Sequence, residues 1–208
     1  MHNDPIAFLE NDVPAQFQKN LAALRGSSAP TAKEDLEDVL GAVGSVRVVV
    51  EGAGERWVGV ANGELTVTET KPELPVRGVL ALAEESARQA LEHIEASGHL
   101  EDPKAPLLLS RIASKRAEKI LAGQKIEFHV IVTDLPDGAE DVVVRCGIGV
   151  EEPPAKPQFT ATISYDDIED MREGDLTPQQ VIGRLKLSGD ASRAMALGMT
   201  LLQPPKKK

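Results

Sequence analysis

The chain has 208 residues, a formal net charge of −10 from 33 acidic and 23 basic side chains, 41% hydrophobic residues and only 3% aromatics. The acidic balance excludes binding to nucleic acid or anionic membrane surfaces driven by charge, because no basic excess is present to release counterions. The core must be built from Val, Leu, Ile and Ala, and the length suits one large domain or two of about 100 residues each.

The opening MHNDPIAFLENDVP has no basic region followed by an apolar core, so it is not read as a signal peptide. Phe17, Leu21 and Leu24 fall at helical spacing and predict a helix over Pro14–Leu24. After the breaker Gly26-Ser27-Ser28-Ala29-Pro30, Thr31 reads as the N-cap of a second helix with Leu36, Val39, Leu40 and Val43 on one stripe. Beyond Gly44 the period shortens. Ser45–Glu51 and Arg56–Val60 read as strands joined by Gly52-Ala53-Gly54, and Asn62-Gly63 turns the chain into Glu64–Thr68. A Pro-rich connection at 71–75 leads to a strand over Arg77–Leu82 and a helix over Glu84–Ala96. Another helix is expected over Pro106–Ala122, with Leu108, Ile112 and Ile120 on its apolar side.

The second half repeats this order. Lys125–Thr133 alternates Ile126, Phe128, Val130 and Val132, Asp137-Gly138 turns, and Asp141–Val150 returns as a strand. Cys146, the single cysteine, sits in that strand; it excludes an internal disulfide framework and reads as a buried, inert thiol of a reducing compartment. The connection Glu151–Pro157 precedes a strand at Phe159–Ser164 and an acidic helix at Asp166–Arg172. The strands Val79–Leu82 and Phe159–Ile163 are offset by 80 residues, and the turns Gly98-His99-Leu100 and Gly174-Asp175-Leu176 by 76. This order predicts two tandem α+β units, over 45–122 and 123–203, with N-terminal helices in 1–44 and a basic tail at 204–208.

Two motifs sharpen the reading. Gly174-Asp175-Leu176-Thr177-Pro178-Gln179 matches a Gly-x-Leu-x-Pro-Gln element, and Gly183-Arg184-Leu185-Lys186-Leu187-Ser188-Gly189-Asp190 matches Gly-Lys/Arg-Leu-Lys-hydrophobic-x-Gly-Asp/Asn. Followed by the apolar helix Ala191–Leu202, they resemble the C-terminal part of the sterol carrier protein type 2 lipid-binding family; the specific likeness covers about 45 residues. The resemblance implies an α+β fold, with an antiparallel-rich twisted sheet covered on one face by helices. It also implies an apolar tunnel that takes a fatty acyl chain, acyl-CoA or a sterol-like molecule. The chain departs from the family between Pro178 and Gly183, which are five residues apart where about seven are usual, so the tunnel-lining helix is expected about half a turn short.

An aliphatic ligand needs a dry, adaptable lining with few polar groups. The candidates are Phe128, Val130, Phe159, Ile163, Met171, Ile182, Met195, Met199 and Leu202, with Gln179 at the polar end. Other chemistries fail on the residues. His2, His93, His99 and His129 lie in different elements, and His99 with Glu101 and Asp102 reads as a polar turn. No phosphate loop, dinucleotide fingerprint or nucleophile elbow is present. Arg111, Lys115, Arg116 and Lys119 read as a solvated face, as does the tail Lys206–Lys208, and no apolar run approaches the roughly 18 residues of a membrane span. The expectation is a cytoplasmic, non-enzymatic carrier without cofactor or metal, whose partner is a hydrophobic small molecule or lipid. It binds no nucleic acid and is not integral to a membrane; a homodimer or a lipid-metabolising enzyme are the protein partners considered. The competing reading is an interaction or dimerisation module on the same fold with a filled pocket.

Overall fold

The computed structural model describes residues 4–28, 32–96 and 123–202, with Ser114, Ala117, Lys119 and Leu121 between them. In chain order the elements are α1 (Pro5–Gly26), α2 (Ala32–Leu40), β1 (Gly44–Glu51), β2 (Gly54–Ala61), β3 (Glu64–Thr68), β4 (Val76–Ala83) and α3 (Glu84–Ala96). After them come β5 (Ile126–Thr133), β6 (Val142–Ile148), β7 (Phe159–Ser164), α4 (Tyr165–Glu173), α5 (Pro178–Arg184), β8 (Lys186–Gly189) and α6 (Ala191–Leu202). All eight strands belong to one mixed sheet, ordered β3-β2-β1-β4-β6-β5-β7-β8. The α+β class and helix-faced sheet expected from the sequence are therefore present. The helix expected over 106–122 falls largely outside the described residues, as do Thr31, His99, Glu101 and Asp102.

The two halves are wired alike. In the first, β1 forms an antiparallel hairpin with β2, pairs in parallel with β4, and α3 starts directly after β4. In the second, β5 forms an antiparallel hairpin with β6, pairs in parallel with β7, and α4 starts directly after β7. Counting back four residues from each helix start gives Leu80, paired with Val48, and Ala161, paired with Val130. Val46, Val48 and Val50 thus correspond to Phe128, Val130 and Val132. The halves join where β4 meets β6 antiparallel, from Gly78 opposite Ile148 to Ala81 opposite Arg145.

Strand alternation puts the apolar partners on one face. Over the first half, Phe17 and Leu21 of α1 and Val39 of α2 pack on Val46, Val48, Val58, Val60 and Leu65. Ile6 of α1 and Ala87 of α3 cover Val50. Over the second, Ala194 and Leu197 of α6 pack with Ile126, Ile148 and Phe159. The opposite face is tied by ion pairs between the halves. Arg47 of β1 reaches Glu152 at 2.9 Å while also holding Glu55 of its own half at 2.6 Å, Lys71 holds Glu151 at 2.7 Å, and Arg145 of β6 pairs with Glu51 of β1. The hydrogen bond that Arg47 donates to Glu55 is the main reason the guanidinium is held above its ordinary pKa. Exposed pairs of this kind stabilise by at most about 1 kcal/mol each, so they chiefly position the connector that runs from β6 to β7.

Three details correct the sequence reading. The first helix begins at Pro5, where Asp4 accepts hydrogen bonds from the Ile6 and Ala7 amides, and it runs through Pro14. An interior proline usually costs about 3 kcal/mol, so burial of Phe17 and Leu21 below it outweighs the break. The stripe on the second helix divides: Val39 is buried, while Leu40 and Val43 are exposed. Gly183, with which the second motif begins, lies inside α5, so that motif starts in a helix and reaches its strand, β8, only at Lys186.

At the junction a side chain on Gly78 would collide with the Gly147 carbonyl, and one on Gly147 would stand 2.9 Å from the Val79 Cγ1. Gly78→Ala is expected to lower unfolding stability by about 3 kcal/mol, at the upper end of overpacking costs. Gly183→Ala, with nothing within 4 Å, should raise stability by about 0.5–1 kcal/mol; denaturant titration of both variants checks the contrast. Cys146 lies on the helix-covered face between Leu80 and Phe128, and burial pushes its thiol up to about 12. Folding therefore favours the protonated form, and the stability it carries is intact below the thiol's ordinary pKa of 9.0 and lost as pH rises toward 12. At pH 8 a thiol reagent should modify native protein only as fast as it unfolds; immediate stoichiometric labelling would contradict this burial.

Candidate functional site

The C-terminal half is assembled by punctuation that the two motifs supply. Gly174 ends α4 in the left-handed region at φ 95°, and the amides of Gly174, Asp175 and Leu176 all donate to the Asp170 carbonyl. Leu176 is buried as the anchor of the turn, and Thr177 caps α5 in a reciprocal box with Gln180, with Pro178 in the first turn. In the second motif Gly189 is left-handed at φ 82°, where any Cβ would strike the Gln158 carbonyl. Asp190 then accepts from the Arg193 amide and starts α6. The motif residues therefore shape turns and helix ends.

What these turns deliver is α6 laid over β7 and β8. Phe128 and Phe159, opposite each other in register, stack with centroids 5.1 Å apart and planes 9° from parallel. They stand where the first half has Val46 and Gly78. Phe128 and Leu187 pack against the cluster that contains Ala194 and Leu197. Ile182 of α5 is buried and reaches α6, 3.5 Å from where a Cβ on Gly198 would lie. Val130 and Ile163 are half-buried on the same sheet face, further along β5 and β7.

The remaining candidates are scattered. Met171 is half-buried on α4, and Gln179 is exposed on α5. Met195 is 40% exposed on α6. For Met199 and Leu202 only the backbone lies within the described structure. Reading the strands by alternation alone would have added Val132 and Ala161 to this face, and the pairing of β6 adds Val144. Leu187, Ala194 and Leu197 were not separable from other apolar residues in the sequence.

Among the described residues, the face between α3 and α6 is incompletely covered, with Leu121 packing against the Ile126, Ile148 and Phe159 cluster. α3 packs on β1, β4 and β6, and α6 on β7 and β8; β5 runs between them. On β1 the three inward valines are buried, with Val48 at 8% and Val50 at 2% exposure. Their equivalents Phe128, Val130 and Val132 are all only half-buried, as are Val144 and Ile163 beside them. Charge is kept to the margins: Arg184 holds Asp167 at 2.6 Å, and this hydrogen bond keeps the Asp167 carboxyl below its ordinary range. Arg193 donates to the Lys125 carbonyl at 3.0 Å. His129 is on the opposite face, its Nε2 3.2 Å from the Pro154 carbonyl. Among the described residues no group of three or more His, Cys, Asp or Glu side chains is placed to hold a metal ion. No helix among them is long and apolar enough to cross a membrane.

Neither a curated protein nor a solved structure matches the chain. Among protein families, residues 91–202 match the SCP-2 sterol transfer family, a span that starts inside α3, continues through β5 to β8 and ends with α6. That span is more than half of the chain, and with the helix-faced α+β sheet it settles the assignment: the chain belongs to the SCP-2 sterol transfer family.

Proposed function

We propose that this protein is a non-catalytic carrier for a lipid or other hydrophobic ligand, seated on the inward face of β5 and β7 between α3 and α6. The observation that carries this reading is the unequal cover of equivalent residues. Val46, Val48 and Val50 are sealed under α1, α2 and α3, whereas Phe128, Val130 and Val132 keep accessible apolar surface on the same side of the same sheet. Leaving apolar surface in water forgoes about 25 cal/mol per Å², so a strip of this kind on an otherwise packed face favours an apolar occupant. Membership of a family named for sterol transfer agrees with such an occupant. The protonated, buried Cys146 fits a passive floor better than a nucleophile.

The matched wiring of the halves also supports tandem units, with residues 45–122 and 123–203 as two versions of one α+β plan. In this reading the first unit has a filled core and the second keeps the ligand face.

Native mass spectrometry of the purified protein, with organic extraction of the same sample, tests the carrier reading. A stoichiometric apolar adduct, absent from Val130→Trp, is the expected result. Val130→Trp should cost less than about 1 kcal/mol because the side chain enters uncovered space, whereas Val48→Trp should cost about 1–3 kcal/mol or more through overpacking. A clean mass unchanged by added fatty acid, acyl-CoA or sterol would count against a carrier and favour an interaction module. So would equal destabilisation by the two tryptophans.

A further inference from the structure

The face of the sheet turned away from the helix-packed cores is covered at one end and open at the other. Leu74 and Pro72, between β3 and β4, lie 3.0 and 3.9 Å from where a Cβ on Gly59 would stand, and Lys71 sits over the Trp57 ring. Val150, between β6 and β7, covers Gly147 in the same way, and the Pro154 carbonyl meets His129. Beyond these connectors, toward the C-terminal ends of β1, β4, β5 and β7, the face opens. There Val49, Ile131 and Thr162 are half-buried, Ala83 is exposed and Val143 is 38% exposed. The core clusters that the described helices form with the sheet hold strand residues of the other alternation, so these side chains belong to none of them.

One row across the open part complements itself. The ladder sets Glu51 beside Ala83, Ile131 between Val143 and Thr162, and Lys186 beside Thr162. Ala81 faces Arg145, so Ala83 and Val143 are the next neighbours on this face. From β1 to β8 the row reads Glu51, Ala83, Val143, Ile131, Thr162, Lys186. It is acidic at one end, basic at the other and apolar in the middle, with a short side chain between. A two-fold rotation about a line parallel to the strands, midway between β6 and β5, lays the row on its own copy. Glu51 then meets Lys186, Ala83 meets Thr162 and Val143 meets Ile131. Arg145, which the same rotation sets over His129, is already paired with Glu51. The net charge of −10 opposes self-association of this chain in general, but in this part Glu51 and Asp141 are balanced by Arg145 and Lys186.

We propose that this protein forms a symmetric dimer in which the open ends of these two faces pack together, with Val143 and Ile131 at the centre and a Glu51–Lys186 pair at each margin. The contact crosses the six strands from β1 to β8, roughly 24 Å, and three same-face rows, roughly 14 Å. A patch of this size lies at the low end of specific interfaces, so the dimer exchanges with monomer at micromolar concentrations. The apolar middle supplies the attraction, and the marginal ion pairs fix the orientation. The inward face of β5 and β7 stays outside the contact, so this dimer does not depend on the carrier reading.

Sedimentation velocity of the full-length protein, from low to high micromolar concentration, tests the proposal together with carbodiimide coupling of an equal mixture of unlabelled and isotope-labelled chains. The expected result is a monomer–dimer equilibrium and a Glu51–Lys186 amide that joins a light chain to a heavy one. Within one chain the two residues stand roughly 24 Å apart, beyond the reach of a coupling that leaves no spacer, so this link reports the dimer. Val143→Asp should weaken association about tenfold or more by placing an unpaired charge at the centre. Lys186→Glu should weaken it about fivefold through the loss of two exposed ion pairs. Thermal unfolding of both variants, measured on monomer, should match the parent. A monomer at every concentration, a dimer that both substitutions leave intact, or cross-links between copies that never join these two residues would overturn this interface.

Discussion

At Gly78 and Gly147 the two halves of the chain meet backbone against backbone, and the eight-stranded sheet depends on that approach. Two strands lie about 4.8 Å apart when they pair, but here a single Cβ at Gly78 would occupy the place of the facing carbonyl. The absent side chains let β4 and β6 close into one ladder. Because cross-strand partners share a face, this junction also fixes which side of each half faces the helices: Val46, Gly78, Ile148 and Ile126 fall in one row. A slip of one residue at the junction would turn the whole C-terminal apolar set away from α6.

Given one continuous face, the helices divide it unequally. The long α1, with α2 and α3, seals the first half using fully buried Phe17 and Leu21. In the second half α6 is held by the left-handed Gly189 and the Asp190 cap over β7 and β8. The stacked Phe128 and Phe159 fill the end of the strip beneath it, and the aliphatic residues further along β5 stay half-covered. The ion pairs that join the halves lie on the other face, where Arg47–Glu152, Lys71–Glu151 and Arg145–Glu51 hold the connectors, while on the helix face Arg56 pairs with Glu10 of α1 at 2.6 Å. In the proposed carrier reading, the half-covered apolar residues along β5 favour an uncharged occupant.

Much of this was legible in the residues because it rests on local rules. The hairpins at Gly52-Ala53-Gly54 and Asn62-Gly63, the strand Phe159–Ser164 and the helices Glu84–Ala96 and Ala191–Leu202 follow from turn chemistry and periodicity, and they fall where the sequence places them. What failed was tertiary. Pro14 looked like a helix start because local propensity forbids it mid-helix, and only the burial of Phe17 and Leu21 overrides that. Gln179 drew attention through its motif position, while Gln180 makes the capping contacts and Gln179 faces out. The pairing of β4 with β6 and the meeting of His93 with Tyr165 join residues about 70 positions apart, and no periodicity reports such a contact. Likewise, Val48 and Val130 are the same residue type in the same alternation; one is buried and the other half-buried because of what packs above them, which the strand pattern does not report.

The most direct test of that difference is methyl NMR of the full-length protein labelled at Val and Ile, titrated with a long-chain alcohol. The expected result is a set of saturable shifts at Val130, Val132, Val144 and Ile163, with Val46, Val48 and Val50 unmoved. Shifts that leave the β5 and β7 methyls untouched, or that appear equally on β1, would contradict the claim that one half of this sheet is sealed and the other is kept for a ligand.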